Sequence, residues 1–476
     1  MSTANHKREG LSPNPQGCQS FQSELELPVS APELFAWHER AGAFERLCPP
    51  WDPVEVIHSD GHIRDGAEVS LRIKLPLGLP ATLQVTHEGY REGERFVDRQ
   101  VRGPFSYWRH IHSVSELPHG GAQLTDDISY KLPLSPLGQL FGGALARSRI
   151  EQLFHYRREV MRHDLSLHSA AQARGLRVAV SGASGLIGAP LCALLSTGGH
   201  QVKRLVRRAS RSEDELAWPS PHELPELGEL DAVIHLAGES VAQRWSAKAK
   251  RSIMDSRVKR TRALAEAIAS AAREGKPHPK TLICASAVGY YGDRGPSPVD
   301  EGAARGEGFL AEVCEAWERA CEPAREVGVR VVHVRVGIVL APNGGALQRL
   351  LLPFSLGLGG PVGHGEQGMS WVSLHDAVGA FYWALTQPSL SGVINAVSPQ
   401  PVSSAEFAKT LGRVLRRPAL LPAPAFALKL AFGEMAEEAL LKGQFVQPSA
   451  LLSSAYPMMH PTLESALRFE LGRAEL

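Results

Sequence analysis

The sequence predicts a multidomain chain of two unlike folds in series. An α+β domain of antiparallel strands wrapped on one long helix comes first. An α/β domain with a doubly wound parallel sheet follows and ends in a mostly helical C-terminal segment. Three observations carry this. The chain has 476 residues, too many for one ordinary domain. Its first third alternates apolar and polar residues in short runs, the period of half-buried strands. Its middle alternates apolar runs with amphipathic helices, the pattern of strands buried on both faces of a parallel sheet.

Bulk properties exclude several classes. Hydrophobic residues make up 43% of the chain and the formal net charge is +1. Cores can therefore form, and there is no general electrostatic pull toward nucleic acid or an anionic membrane. No apolar run reaches the roughly 20 residues that cross a bilayer. Cys18, Cys48, Cys192, Cys284, Cys314 and Cys321 form no C-x-x-C pair, which argues against a disulfide framework or a zinc site. That usage fits a reducing compartment, and a cytoplasmic location is expected. Residues 1–17 are polar and rich in Pro and Gly, lack the apolar core of a signal peptide, and are expected to form a disordered tail.

Within 18–168 the chain opens with the strand-like FQSELELPVS and a helical PELFAWHERAGAFERL ended by Pro49-Pro50. Six β-like runs follow: VEVIHS, AEVSLRIKL, ATLQVTHEGY, RFVDRQV, SYWRHIHSVSEL and AQLTDDISYKL. Gly, Asp and Pro turns separate them, as an antiparallel meander requires. A long helix closes the segment, with Ile150, Leu153, Phe154, Val160 and Met161 on one apolar face. This element order, with the opening FxxELELPVSAPELFAWH, resembles the START/polyketide-cyclase-like helix-grip superfamily. The resemblance implies a cavity for an apolar small molecule between sheet and helix.

After the polar linker HSAAQARG, 176–400 reads as RVAVSG, QVKRLVRR, DAVIHLAG, KTLICASA, VRVVHVRVGIVL and GVINAVS, with helices between. The string VAVSGASGLIGAPLCALLSTGGH reads as strand, glycine turn, helix. Gly182 permits the tight turn, Gly185 lets backbone approach a pyrophosphate, and Gly188 lets the helix pack close to the sheet. Together with Ser184, Leu186 and Ile187 at the helix N-terminus, they form a candidate Rossmann cofactor turn. The second strand ends in Arg207-Arg208, with no Asp or Glu until Glu213. A guanidinium suits the 2′-phosphate of NADP, so NADP is expected over NAD. Ala237 and Gly238 are small enough for a dinucleotide to lie against the backbone. Arg257 either faces the phosphates or is an exposed helix residue.

Five strings resemble the short-chain dehydrogenase/reductase superfamily of extended type, and more closely an atypical epimerase-like branch of it. They are SGASGLIG, AVIHLAGESVAQRWS, SAVGYYGDRG, the glycine-rich VRVGIVLAPNGGALQRLLLPFSLGLGGPVGHGEQGMSWVSLHDAV, and AEFAKTLGRVLRRPALLPAP. The resemblance implies a catalytic Ser at Ser286 and a Tyr-x-x-x-Lys pair on the helix GFLAEVCEAWERACE. With Glu318 aligned to the acidic residue that ends that motif, Leu310 takes the Tyr position and Cys314 the Lys position. Neither can do the job: Leu has no proton to give, and a neutral thiol supplies no cation. Tyr290 and Tyr291 are candidate replacement proton donors, or they pack the loop. Asp376 fits either chemistry or a helix cap. His110 and His112 share a strand face, but two histidines without a third ligand read as structural, and no metal is expected.

The sequence thus carries two functional readings. One is an NADP(H)-dependent oxidoreductase or epimerase on a small substrate. The other is a non-catalytic NADP(H)-binding sensor or scaffold with a separate apolar-ligand domain. In both, 401–476 is expected to cap the cofactor cleft.

Overall fold

The structure is a computed structural model that describes residues 11–75, 78–133 and 137–474. Residues 1–10 of the expected tail lie outside the described residues. The chain divides into two compact units, 1–169 (with 474–476) and 170–473. Residues 401–473 therefore belong to the same unit as the parallel sheet.

The first unit is a seven-stranded antiparallel sheet. Its strands are β1 (Gln19–Leu27), β2 (Glu55–Ser59), β3 (Glu68–Lys74), β4 (Pro80–Arg91), β5 (Arg95–Arg102), β6 (Tyr107–Glu116) and β7 (Ala122–Lys131). The order is β1-β7-β6-β5-β4-β3-β2, a meander from β2 to β7 with β1 added beside β7. In β1 the residues Phe21, Ser23, Leu25 and Leu27 are buried and their neighbours exposed, the period of two that sets one face against a core. The expected single helix after β1 is two, α1 (Ala31–Glu39) and α2 (Ala43–Arg46), because Gly42 turns left-handed at φ 94° between them. Helix α3 (Leu137–Ala170) lays Ile150, Phe154, Met161 and Leu165 on the sheet. Leu153, expected on that face, is only half-buried, whereas Tyr156 is buried.

Leu25, Phe35, Trp37, Phe96, Leu124, Met161 and Leu165 pack into one core. The concavity of about 420 Å³ in this unit is ringed by Glu39, His62, Ile63 and Arg64, three of them polar. The tail expectation is also corrected for 11–17: Asn14 donates to Ser129 at 2.7 Å and accepts from Tyr107 at 3.1 Å. These bonds pin the segment to the sheet.

The second unit is built on a seven-stranded parallel sheet. Its strands are β8 (Arg177–Ser181), β9 (Gln201–Val206), β10 (Glu215–Ala217), β11 (Ala232–His235), β12 (Thr281–Ala287), β13 (Arg330–Val336) and β14 (Gly392–Ala396). The order is β10-β9-β8-β11-β12-β13-β14, with the chain reversing direction across the sheet between β8 and β11. That switch point opens a crevice at the strand ends. All six expected strands occur. VRVVHVRVGIVL breaks at Gly337, where a side chain would stand 2.5 Å from the Ser370 carbonyl oxygen, and Ile338–Leu340 leaves the sheet. The principal helices are α4 (Gly188–Thr197), α5 (Ala247–Arg273), α6 (Phe309–Arg319) and α7 (Leu374–Thr386). Among the described residues no helix is long and apolar enough to cross a membrane.

One buried ion pair ties the first unit together. Arg46 donates through Nε and Nη2 to both Asp164 oxygens, at 2.8 and 2.6 Å, joining α2 to α3. Removing one partner leaves the other charge buried, at a cost of about 3–5 kcal/mol. Asp164→Ala is therefore expected to lower the stability of this unit by that amount in denaturant unfolding. A loss under about 1 kcal/mol would mean that Arg46 finds water instead.

Candidate functional site

The glycine turn is built by backbone contact. After β8, Gly182 takes φ 68° and its carbonyl accepts from Gly185 N at 2.9 Å. A side chain on Gly188 would stand 2.1 Å from that carbonyl oxygen, so α4 can start this close to the turn only with glycine there. Ser184 and Gly185 are exposed at the mouth, Leu186 and Ile187 half-buried. Leu186 lies against Gly344 and Gly345, which accounts for part of the long glycine-rich string. The positive end of the α4 dipole, behind the exposed Ser184 and Gly185, suits a pyrophosphate. The cradle has the form a dinucleotide requires.

The floor beyond it is set by Ser181. Its hydroxyl accepts from Leu236 N at 3.1 Å and Ala237 N at 3.3 Å, and meets His235 Nδ1 at 2.7 Å. Burial lowers the His235 pKa to about 4, so the ring is neutral and takes the hydroxyl proton. Gly238 is exposed, and a side chain on it would meet the Arg257 guanidinium at 3.1 Å. Arg257 is half-buried, with its guanidinium 5.1 Å from the Trp317 ring centre, and is no exposed helix residue. At the end of β9, Arg207 and Arg208 are both exposed. They differ in one respect: Arg208 forms a bidentate pair with Glu215, at 2.8 and 2.7 Å. The Arg208 bond first, then the Arg211 backbone N–H, hold the Glu215 pKa down to about 2. A carboxylate does stand near this strand end, carried by the three-residue edge strand β10, which the sequence did not disclose.

The three remaining sheet strands end in a polar row. Ser286, Arg335 and Asn395 are register partners across β12, β13 and β14. Glu318 of α6 joins them. Arg335 donates through Nε and Nη2 to the two Glu318 oxygens, each at 2.8 Å, and Ser286 donates to Glu318 Oε1 at 2.7 Å. Arg335 Nη1 also donates to the Tyr291 hydroxyl at 3.0 Å, which donates to Asn395 Oδ1 at 2.8 Å. The two candidate tyrosines separate here. Tyr291 is fully buried, and burial raises its pKa. Its hydroxyl has its partners already and cannot reach a substrate, which corrects that expectation. Tyr290 is half-buried, with the Arg335 guanidinium 3.4 Å over its ring.

Leu310, Cys314 and Glu318 recur every four residues on α6, one face of that helix. Leu310 and Cys314 border Gly289, just past the end of β12, and the Cys314 thiol lies 3.6 Å from the Ala287 carbonyl. Burial pushes its pKa up to about 11, so it is a neutral thiol. The C-terminal segment fixes this helix: the Glu438 carboxylate accepts from Phe309 N and Leu310 N, at 3.1 and 3.2 Å, an acidic cap lent from 128 residues away. Gln444 donates to the Val288 carbonyl at 3.0 Å. Asp376 is structural but is not the helix cap, which is Ser373, accepting from Asp376 N at 2.9 Å. The Asp376 carboxylate accepts from Met459 N and His460 N, and Ser373 donates to it at 2.7 Å.

Comparison with known proteins follows this division. Residues 178–396 match the NAD dependent epimerase/dehydratase family, and 423–470 match a domain of unknown function, DUF1731. The epimerase family protein Mb2239 of Mycobacterium bovis is 45% identical over 303 residues, covering 62% of this chain and 98% of that protein. This chain belongs to the epimerase family. The human epimerase family protein SDR39U1 is 35% identical over 300 residues, 62% of this chain and 99% of its own. A crystal structure of isoform 2 of that human protein, with NADPH, superposes with a TM-score of 0.57 at 34% identity, covering 62% of this chain and 99% of that one. A crystal structure of a nucleoside-diphosphate sugar epimerase from Corynebacterium glutamicum matches 95% of this chain and 90% of its own, with TM-score 0.75 and 32% identity. The last match extends over the antiparallel sheet as well.

The close approach at Gly188 gives a direct test. Gly188→Ala drives a methyl group into the Gly182 carbonyl, and overpacking of this kind costs about 1–3 kcal/mol. A lowered unfolding midpoint for the second unit, with the first unit unchanged, is expected in a thermal melt. An unchanged midpoint would mean that the turn can open without penalty.

Proposed function

We propose that the 170–473 unit binds NADP(H) and acts as an oxidoreductase or epimerase on a small substrate without a Tyr–Lys pair. The observation that carries the cofactor assignment is the Gly182–Gly188 cradle at the strand switch point, where a side chain on Gly188 would stand 2.1 Å from the Gly182 carbonyl oxygen. The NADPH that accompanies the human relative in its crystal structure supports the same cofactor. The cofactor supplies or accepts a hydride at its nicotinamide. Gly182, Ser184, Gly185, Leu186, Ile187 and Gly188 would hold its pyrophosphate, Ala237 and Gly238 would floor the site, and Arg257 would face the phosphates across Gly238.

Arg207 would take the 2′-phosphate. It is exposed and has no hydrogen bond or ion pair among the described residues, whereas Arg208 is already paired with Glu215. Tyr290 is the proton donor in this reading, because Tyr291 is sealed by Arg335 and Asn395. Ser286 acts by holding Glu318, and so Arg335 over the Tyr290 ring, in place.

The second reading, a non-catalytic NADP(H) sensor or scaffold, is favoured by one observation. Leu310 and Cys314, on the α6 face beside the end of β12, offer neither a phenol nor a cation. The first unit then stands as a separate helix-grip domain. Its strand order and long helix support the START-like reading.

Two experiments decide. Gly185→Val should abolish dinucleotide binding, because a branched side chain occupies the pyrophosphate's space. Arg207→Ala should weaken NADPH by about ten- to a hundred-fold, a charged hydrogen bond being worth about 1.5–3 kcal/mol, and leave NADH nearly unchanged. Calorimetric titration reads both, and equal affinity of the unaltered protein for the two cofactors would remove the NADP assignment. For catalysis, NADPH oxidation is screened across carbonyl substrates. Tyr290→Phe should cost about 10²–10⁴-fold, the worth of a general acid, while Leu310→Ala and Cys314→Ala stay within about tenfold. A Tyr290→Phe protein of full activity overturns the Tyr290 assignment, and no turnover by the parent leaves the sensor reading.

A further inference from the structure

The first unit holds a cluster of titratable side chains that the dinucleotide site does not use. In the sheet, His87, Asp98 and His110 are register partners across β4, β5 and β6, and His112 and Asp126 are partners across β6 and β7. Direct cross-strand partners share a face, and so do residues two apart on one strand. All five side chains therefore stand on the same side of the sheet. It is the side that faces the helices: Phe96 stacks on the His112 ring at 4.1 Å, and Phe154 of α3 meets His110 at 5.5 Å. His87, His110, His112 and Asp126 are buried. Asp98 is 26% exposed and forms the open edge of the group.

The third ligand that the sequence did not offer to His110 and His112 is thus Asp98. One ligand atom from each of Asp98, His110 and His112 lies within 4.8 Å of the others. The hydrogen bonding around them is arranged for a cation. Asp126 Oδ1 accepts from His110 Nε2 at 2.9 Å. That bond fixes the proton on Nε2 and turns the Nδ1 lone pair toward Asp98 Oδ2, 4.0 Å away. Two acceptors then face each other with no proton between them. Two more close pairs lack hydrogen-bond geometry. His112 Nδ1 lies 2.8 Å from Asp126 Oδ1, and His87 Nδ1 lies 2.9 Å from Asp98 Oδ1, yet none of His112 Nδ1, His87 Nδ1 and Asp98 Oδ1 has a hydrogen-bond partner. His112 Nε2 is hydrogen-bonded to Asp98 Oδ2 at 3.4 Å, a separation that is also about the edge of a tetrahedron around an ion with bonds of about 2.1 Å.

We propose that Asp98, His110 and His112 form a binding site for one first-row divalent transition metal ion, with Asp126 as the outer carboxylate that orients His110 and lies against His112. Two imidazoles and one carboxylate make a donor set of intermediate softness, suited to zinc or iron(II) rather than to calcium or magnesium, which take oxygen ligands. Three protein ligands leave at least one coordination position free, and the exposed edge of Asp98 is where an ion or a small ligand would enter.

The test uses the full chain, stripped with chelator and dialysed, and titrated with Zn²⁺ and, without oxygen, with Fe²⁺. One ion per chain is expected, released only by excess chelator. Asp98→Asn and His112→Gln should weaken binding at least a hundred-fold. Asp126→Asn should weaken it about 10–100-fold, the usual range for an outer partner. Co²⁺ loaded into the unaltered protein provides a measurement that needs no variant. Visible absorption bands of a four- or five-coordinate ion, with imidazole nitrogens seen by electron spin-echo spectroscopy, are expected. No stoichiometric ion in the unaltered protein, or a Co²⁺ spectrum without imidazole nitrogen, overturns the site. Binding that survives both Asp98→Asn and His112→Gln also overturns it.

Discussion

The ion pair between Arg335 and Glu318 organises the second unit's strand ends. A guanidinium on a sheet strand cannot be buried alone, since an unpaired charge in a low-dielectric interior costs several kcal/mol. Both Glu318 oxygens are committed to it, and the spare lone pair of one takes the Ser286 proton. The guanidinium's other edge takes Tyr291, whose hydroxyl takes Asn395, and its face covers Tyr290. Each of these side chains has its rotamer set by the one before it. Ser286 is thereby recruited into the network.

The C-terminal segment completes this arrangement. Helix α6 carries Glu318 at one end and starts beside Glu438 at the other, so its position depends on both. A helix N-terminus with unmet N–H groups needs a carboxylate or water. Here the carboxylate comes from 438, and Phe445–Val446 adds a strand partner to Pro298–Val299 after the tyrosine loop. Residues 423–470 match a family model of their own. In the structure they are bonded to the epimerase-type unit through the α6 cap and the loop carrying Tyr290 and Tyr291.

What the sequence disclosed was whatever is written locally. Strands β1–β7 showed as alternation, β8, β9 and β11–β14 as apolar runs, and the glycine turn as spacing. The split at Gly42 and the edge strand β10 were hidden because a single glycine in a helical run and a three-residue strand leave no periodic signal. Glu215 went with β10, and with it the partner of Arg208. Arg335 could have been noticed as a charge inside VRVVHVRVGIVL. Its partners could not, because register decides that Ser286 and Asn395 flank it. Helical spacing likewise places Met161 and Leu165 on one face, but not that Phe35 and Trp37 pack into the same core.

Register also explains why the two polar rows differ. In each unit, cross-strand pairing gathers groups that lie far apart in the chain, Ser286 with Asn395 in one and His87 with Asp126 in the other. The parallel-sheet row contains its own fixed cation, since Arg335 remains charged at every accessible pH and both oxygens of its carboxylate are satisfied. The antiparallel row has two carboxylates, Asp98 and Asp126, and meets them with imidazoles. An imidazole can carry a proton or can lend a lone pair to a metal, and it does both with the same nitrogen. A guanidinium has no lone pair to lend. The choice of histidine over arginine at 110 and 112 therefore leaves the row open to an external ion, whereas the row built on Arg335 is closed to one.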